Sequence, residues 1–302
     1  MLFRSTFFYA APPGDLPEFI AVGHEFQMGT YLGPPLAYWL AELALNLAGG
    51  QMIGVYVLSQ ACVLVTYWAV FKLGHSMVGE RQAALAVLLM VGVSVFTVPT
   101  PEFGPAILAM PLWALVLLHS WYAIGQGRRP YWFALAIEIG LLLLTTYFGL
   151  IFFALLVAFT LMTARGRAAL NSVDPWIAAV VILVVMFPHL LWLESEGDLL
   201  VAAVARLRSA EAVDANLLTW MRLAAGLIMA HAGLGLLVVL ASGWPIARRG
   251  DVPLIVRRPV DPLARKFVYF FALMPPLMAT VVTVLVGRSA LEIGRASCRE
   301  RV

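Results

Sequence analysis

The sequence predicts an all-α fold, a polytopic transmembrane helical bundle, and three observations carry that expectation. Of the 302 residues, 62% are hydrophobic and only 12% charged, against about 25% charged in ordinary soluble domains. The apolar residues gather into about eight segments near membrane-crossing length, which is ~20 residues for ~30 Å of hydrocarbon. The charged residues sort by sign into alternating loops, as they do when a chain is threaded repeatedly through a bilayer.

Taken in order, the expected spans lie near residues 52–71, 82–98, 105–124, 131–147, 148–164, 175–194, 218–245 and 267–287. The block 131–164 contains a single charge, Glu138, and is too long for one untilted helix. Its middle, Thr145-Thr146-Tyr147-Phe148-Gly149, has the polar and glycine character of a tight turn, so the block is split there. Glu138 lies inside a span and requires an internal partner. His189 and His231 read as helix-packing residues. Before the first full span, residues 15–47 are expected to form short interfacial helices. Residues 198–216 pair an apolar stripe with Arg206 and Arg208, which suits a helix lying on the membrane surface. Residues 248–266, broken by Pro253, Pro259 and Pro262, read as a polar loop.

One set of loops carries Lys72, Arg81, Arg128, Arg129, Arg165, Arg167, Arg248, Arg249, Arg257, Arg258, Arg265 and Lys266 against only Glu80, Asp174, Asp251 and Asp261. The other set carries Asp15, Glu18, Glu25, Glu42, Glu102, Glu194, Glu196, Asp198, Glu211 and Asp214, with Arg206, Arg208, Arg222 and Arg288. The positive-inside rule places the first set in the cytoplasm and the second outside. The sequence pI near 9.0 therefore reports orientation and not a nucleic-acid partner.

The ends depart from the pattern. Residues 1–11 are apolar but too short to cross, and read as the end of a helix that begins earlier. Residues 292–302 (EIGRASCRERV) match the in-frame translation of a common sequencing adapter, which leaves 1–291 as a single transmembrane domain expected to continue beyond its last residue. Setting that run aside lowers the net charge from +3 to +2 and leaves Cys62 as the one cysteine, a small buried hydrophobe with no disulfide partner.

The chemistry is expected in residues 15–39, DLPEFIAVGHEFQMGTYLGPPLAYW, which mix carboxylates, a histidine, aromatics and a Pro-Pro pair. Asp15-Leu16-Pro17-Glu18 is also a helix start, with Asp15 at the N-cap and Glu18 placed to complete a capping box. Tyr31, Tyr38 and Trp39 suit an interfacial aromatic belt as well as a stacking platform for a ligand. Pro34-Pro35 sets the entry to the next helix.

Asp15 and Pro34 stand nineteen residues apart, with Gly29 and Leu36 in register. Downstream, in order, come Pro111-Leu112-Trp113-Ala114, Leu143-Leu144-Thr145-Thr146-Tyr147 and Pro188-His189-Leu190-Leu191-Trp192. This ordered set resembles the integral-membrane GT-C glycosyltransferases of family 39 and their relatives, which include protein mannosyltransferases and aminoarabinose transferases. The resemblance runs from Asp15 to about Gly287. It implies a multi-pass inner-membrane enzyme, with its catalytic loop facing the periplasm or exterior. Such an enzyme moves a sugar from a polyprenyl-phosphate donor to a lipid, glycan or protein acceptor, with inversion.

The resemblance implies that Asp15 is the catalytic base, since an attacking hydroxyl or amine must shed its proton and a placed carboxylate can take it. Glu18, His24, Glu25, Tyr31, Pro34, Pro35, Glu102, Thr146 and Tyr147 are the candidate substrate-binding residues. Leu16 stands where the family pattern has glutamate, Glu18-Phe19 where it has two tyrosines, Leu32-Gly33 where it has Asp-His, and Thr146 where it has lysine. A divalent cation is compatible with this chemistry, but no ligand set is evident and no metal residues are assigned. Two other readings remain open: a lipid-linked glycan transporter or flippase, with ionisable residues spread through the spans, and a catalytically impaired relative that keeps the fold.

Overall fold

A computed structural model describes residues 14–96, 102–196, 217–242 and 260–286. Among these residues it is all helix and turn. The elements are α1 (Leu16–His24), α2 (Leu36–Leu47), α3 (Ile53–Val78), α4 (Glu80–Met90), α5 (Pro105–Ser120, running on as a π turn, Trp121–Gly125), α6 (Tyr131–Leu143), α7 (Phe148–Met162), α8 (Ala164–Leu170), α9 (Asp174–Ser195), α10 (Leu217–Ala230), α11 (Ala232–Ser242) and α12 (Pro262–Val286). The expectations for residues 1–11, 198–216 and 292–302, and for most of 248–266, lie outside the described residues.

The all-α class and the two short helices ahead of the first span agree with the sequence reading. The number of crossings does not. Among the described residues three helices are long and apolar enough to cross: α3, α5 with its π turn, and α9. A fourth is added if α7 and α8, bent by 101° at Thr163, count as one broken span. The reason for the lower number is local. α4 stops at Met90, six residues short of the end of a 3-10 turn, Ser94–Phe96. α6 has 13 residues, or ~20 Å at 1.5 Å per residue, because the turn at 144–147 cuts the apolar block where the sequence placed the break. The segment 218–245 is interrupted at His231 between α10 and α11, with the remainder outside the described residues.

The core is a contiguous cluster built from α1, α2, α3, α5, α6, α7 and α9, including Leu16, Ala41, Val55, Phe103, Ile107, Val116, Leu135, Leu142 and Phe152. In lipid, helices associate by close packing more than by exclusion from water. Gly140 of α6 illustrates this: a Cβ there would lie 2.7 Å from Val185 Cγ1 of α9, so glycine lets the two helices approach. α12 joins through an aromatic group in which Phe159 of α7 meets Phe267 edge-on at 5.3 Å. Cys62 is buried, as expected of a small hydrophobe. Along α9 the residues Trp176, Val180, Leu183, Val184, Phe187 and Leu191 are exposed, an apolar stripe suited to lipid.

Two ends can be distinguished. At one, Arg129 pairs with Asp174 at 2.7 and 3.0 Å, and Arg165 pairs with Asp261 while also donating to the Gly125 carbonyl. These contacts bring loops from the basic set together. The helix between them and the opposite end is pinned by a buried pair, His119 Nδ1 to Glu138 Oε1 at 2.6 Å. That is the internal partner Glu138 needed.

Candidate functional site

The opposite end gathers the residues singled out in the sequence. α1 begins at Asp15 because Pro17 fits the first turn, where no amide partner is needed. The Asp15 carboxylate does not cap the helix: its side chain makes no capping hydrogen bond. The capping box is not closed, since Glu18 instead accepts from the Tyr31 hydroxyl at 2.8 Å. Gly14, at φ +61°, brings the chain beside Glu102, whose Oε2 would lie 3.2 Å from a Cβ at Gly14. The Glu102 loop also packs on α1 through Gly104 and the Phe19 ring. Asp15 and Glu102, 87 residues apart in sequence, thus sit on neighbouring strands of backbone.

The segment between α1 and α2 folds into a compact loop. Thr30 and Gly33 exchange both backbone hydrogen bonds at 3.1 Å, and the Thr30 hydroxyl adds a bond to the Gly33 carbonyl. This tight turn carries the exposed Tyr31 outward. Gln27 donates to Glu25 at 2.6 Å, and the Trp39 indole donates to the Gln27 carbonyl. Glu18, Glu25, Gln27, Thr30 and Tyr31, with Ala21 and Val22, line an open cleft of ≈ 280 Å³. Its rim offers carboxylates, an amide and a phenol, a donor–acceptor set suited to a polyhydroxylated or amine-bearing molecule.

His24 and the two prolines are placed differently. His24 bonds to Glu42 of α2 at 2.9 Å. It ties α1 to α2 and does not line the cleft. The Glu42 hydrogen bond, and then its charge, raise the His24 pKa above the usual 6.5. Pro34 and Pro35 are buried, with Pro35 at the start of α2; they shape backbone and present no polar group. The next residue fixes the register: Leu36 N donates to the Leu144 carbonyl at 3.0 Å. Thr146 and Tyr147 therefore lie alongside the entry to α2. Thr146 accepts from the Phe148 amide, and Tyr147 is partly exposed at the same face.

The sequence reading assigned His189 to packing, yet it is a junction. Its Nδ1 lies 2.7 Å from the Met28 carbonyl and its Nε2 3.5 Å from the Tyr147 hydroxyl. Trp192 stacks on it at 5.8 Å and fills the space beneath Gly29. The pairing of Glu42 with His24 was also not foreseen. Among the described residues no group of three or more His, Cys, Asp or Glu is arranged to hold a metal ion.

These contacts join the Pro34-Pro35 entry, the 144–147 turn and the Pro188–Trp192 segment at one face. A family model for dolichyl-phosphate-mannose-protein mannosyltransferases matches residues 33–192, more than half of the chain. The chain belongs to this family. It is a multi-pass membrane glycosyltransferase of the mannosyltransferase type, and the family implies a lipid-linked sugar donor. No curated protein and no solved structure matches the chain. The matched stretch begins immediately before Pro34 and ends on Trp192. It takes in Glu102, Thr146, Tyr147 and His189, whereas Asp15, Glu18, His24, Glu25 and Tyr31 precede it.

Proposed function

We propose that this protein transfers a sugar from a polyprenyl-phosphate carrier to an acceptor at the external face of the inner membrane, with Asp15 as the general base and inversion at the anomeric carbon. The observation that carries the reading is the convergence of Asp15, Glu102, the 25–35 loop and the 144–147 turn at the end of the bundle opposite the Arg129–Asp174 and Arg165–Asp261 pairs. The positive-inside rule puts those basic loops in the cytoplasm, so the carboxylate end faces outward.

In this scheme the acceptor seats in the cleft of Glu18, Glu25, Gln27 and Tyr31. Its hydroxyl or amine gives a proton to Asp15 as the heteroatom attacks the anomeric carbon. The bond from that carbon to the phosphate oxygen breaks on the opposite side, and the lipid phosphate departs as an anion. Because the leaving group is already anionic, the site needs hydrogen-bond donors more than a strong acid. Thr146 and Tyr147 offer hydroxyls where the family pattern has a lysine. Pro34 and Pro35 hold the α2 entry against that turn, and Glu102 flanks the base. The choice among lipid, glycan and protein acceptors belongs to the cleft.

The test is transfer of radiolabelled sugar from polyprenyl-phosphate donors in native membranes, comparing the wild type with Asp15→Asn. Asn is isosteric and equally suited to a helix start, so protein levels should be unchanged. General-base catalysis contributes roughly 10²–10⁴-fold, and a loss of that size is expected. Transfer at the wild-type rate would move the base elsewhere, with Glu102 the next carboxylate to replace.

A further inference from the structure

We infer that His189 is a positioning residue for the sugar-transfer site: its two ring nitrogens fasten the 28–33 loop to the 144–147 turn and so set the wall of the acceptor cleft. The inference rests on the glycosyl-transfer reading above.

His189 is 1% exposed, and a buried imidazole is costly unless both nitrogens are satisfied. The Met28 carbonyl can only accept, so Nδ1 carries the proton of the 2.7 Å bond. In the neutral ring Nε2 is then the acceptor, and the Tyr147 hydroxyl at 3.5 Å is its donor. One ring thereby grips two segments that are 119 residues apart in sequence.

The next helical turn completes the seat. Trp192 lies nearly parallel to the imidazole, at an interplanar angle of 12°. A Cβ at Gly29 would collide with its indole ring. Met28 and Gly29 therefore rest on a His–Trp platform. From there the backbone runs directly into the cleft wall: the Thr30–Gly33 turn is closed on itself, and it holds Tyr31 where its hydroxyl meets Glu18. An apolar side chain of similar size at 189 would fill the volume and lose both grips. His189 does not line the cleft, so it acts on the acceptor through the loop.

The experiment uses the full-length protein in native membranes or lipid nanodiscs, as wild type, His189→Phe, His189→Asn and Tyr147→Phe. Hydrogen exchange of residues 28–33 reports the loop independently of activity. Kinetics with polyprenyl-phosphate mannose and a serine/threonine peptide report acceptor KM and kcat. A lost buried hydrogen bond corresponds to about a tenfold effect. His189→Phe should speed exchange in 28–33 by about tenfold, leave α3 and α5 unchanged, and raise acceptor KM by a similar factor with kcat within about threefold. His189→Asn keeps an N–H near the Nδ1 position and should restore most of both; Tyr147→Phe, read by exchange alone because Tyr147 also belongs to the proposed transfer site, should speed exchange in 28–33 by a smaller factor. Unchanged exchange in His189→Phe, or an Asn variant no better than Phe, overturns the inference. A fall in kcat at constant KM overturns it too, by placing His189 among the reacting groups. If the wild type transfers no sugar, the enzymatic reading fails separately, and exchange in 28–33 with rescue by Asn still decides the role of His189.

Discussion

The two ends of this bundle are held together by different chemistry. At the basic end, guanidinium groups close on carboxylates: Arg129 on Asp174 and Arg165 on Asp261. These two pairs tie loops of the basic set to one another. At the opposite end the ties are made by histidines and backbone: His189 to Met28, His24 to Glu42, Leu36 to Leu144. Glu102 and the cleft carboxylates Glu18 and Glu25 are left facing solvent or hydroxyl and amide groups, and none of them is closed off by an Arg or Lys among the described residues. The basic end closes two of its loops with Arg–Asp pairs, whereas the opposite end relies on a histidine–carboxylate pair and backbone contacts and leaves Glu18, Glu25 and Glu102 without an Arg or Lys partner among the described residues.

The sharpest test of the comparison lies beneath the basic end. Leaving a buried carboxylate without its partner costs ~3–5 kcal/mol, whereas replacing both members by apolar residues is often nearly neutral. His119→Leu should therefore lower the thermal stability of the purified protein markedly, and His119→Leu with Glu138→Leu should recover most of it. Equal destabilisation by single and double variants would mean that packing, not the pair, is what matters at this position.

Next in size is a contrast of two glycines. Gly29→Val drives a side chain into Trp192 and lifts the loop, and displacement by ~1 Å can cost ~100-fold in rate. Gly127→Ala at the basic end, at φ +66° with nothing within 4 Å of its Cβ, should leave transfer unchanged even where it costs some stability. Transfer rates of the two variants, normalised to protein level, check this; a similar loss in both would erase the distinction between the ends.

A smaller effect separates the ends by pH. His24 has its pKa raised by Glu42, so that tie is fully present below the ordinary histidine value of 6.5 and is lost as pH rises through the higher folded value. The Arg129–Asp174 pair joins side-chain types that ordinarily titrate far from neutrality. Hydrogen exchange between pH 6 and 8.5 should therefore loosen the α1–α2 junction and leave the 129–174 contact unaltered. The smallest effect belongs to Arg129→Ala, since an exposed ion pair contributes little. Its melting temperature should be close to that of the wild type.

Much of this was legible in the sequence. Low charge and long apolar runs require a membrane bundle, because backbone polar groups in lipid must be satisfied within helices. The turn between α6 and α7 was visible because a run of 34 residues with one charge cannot be a single untilted helix. Glu138 announced a partner because an intramembrane carboxylate is costly alone. Less visible was the shortness of α4 and α6, which depends on where tertiary contacts let a helix stop. The ordered residues around Pro34, Thr146 and His189 pointed to one family, and the family match over 33–192 agrees.

The sequence by itself determined that the protein is helical, membrane-embedded, charge-segregated and a glycosyltransferase relative, since those properties are read from composition, periodicity and ordered motifs. Only the tertiary structure decided which distant residues meet. Glu102 beside Gly14, His24 on Glu42, and His189 between Met28 and Tyr147 join segments 18 to 161 residues apart. Contacts at such separations are fixed by how helices pack against one another, and no local pattern along the chain encodes them.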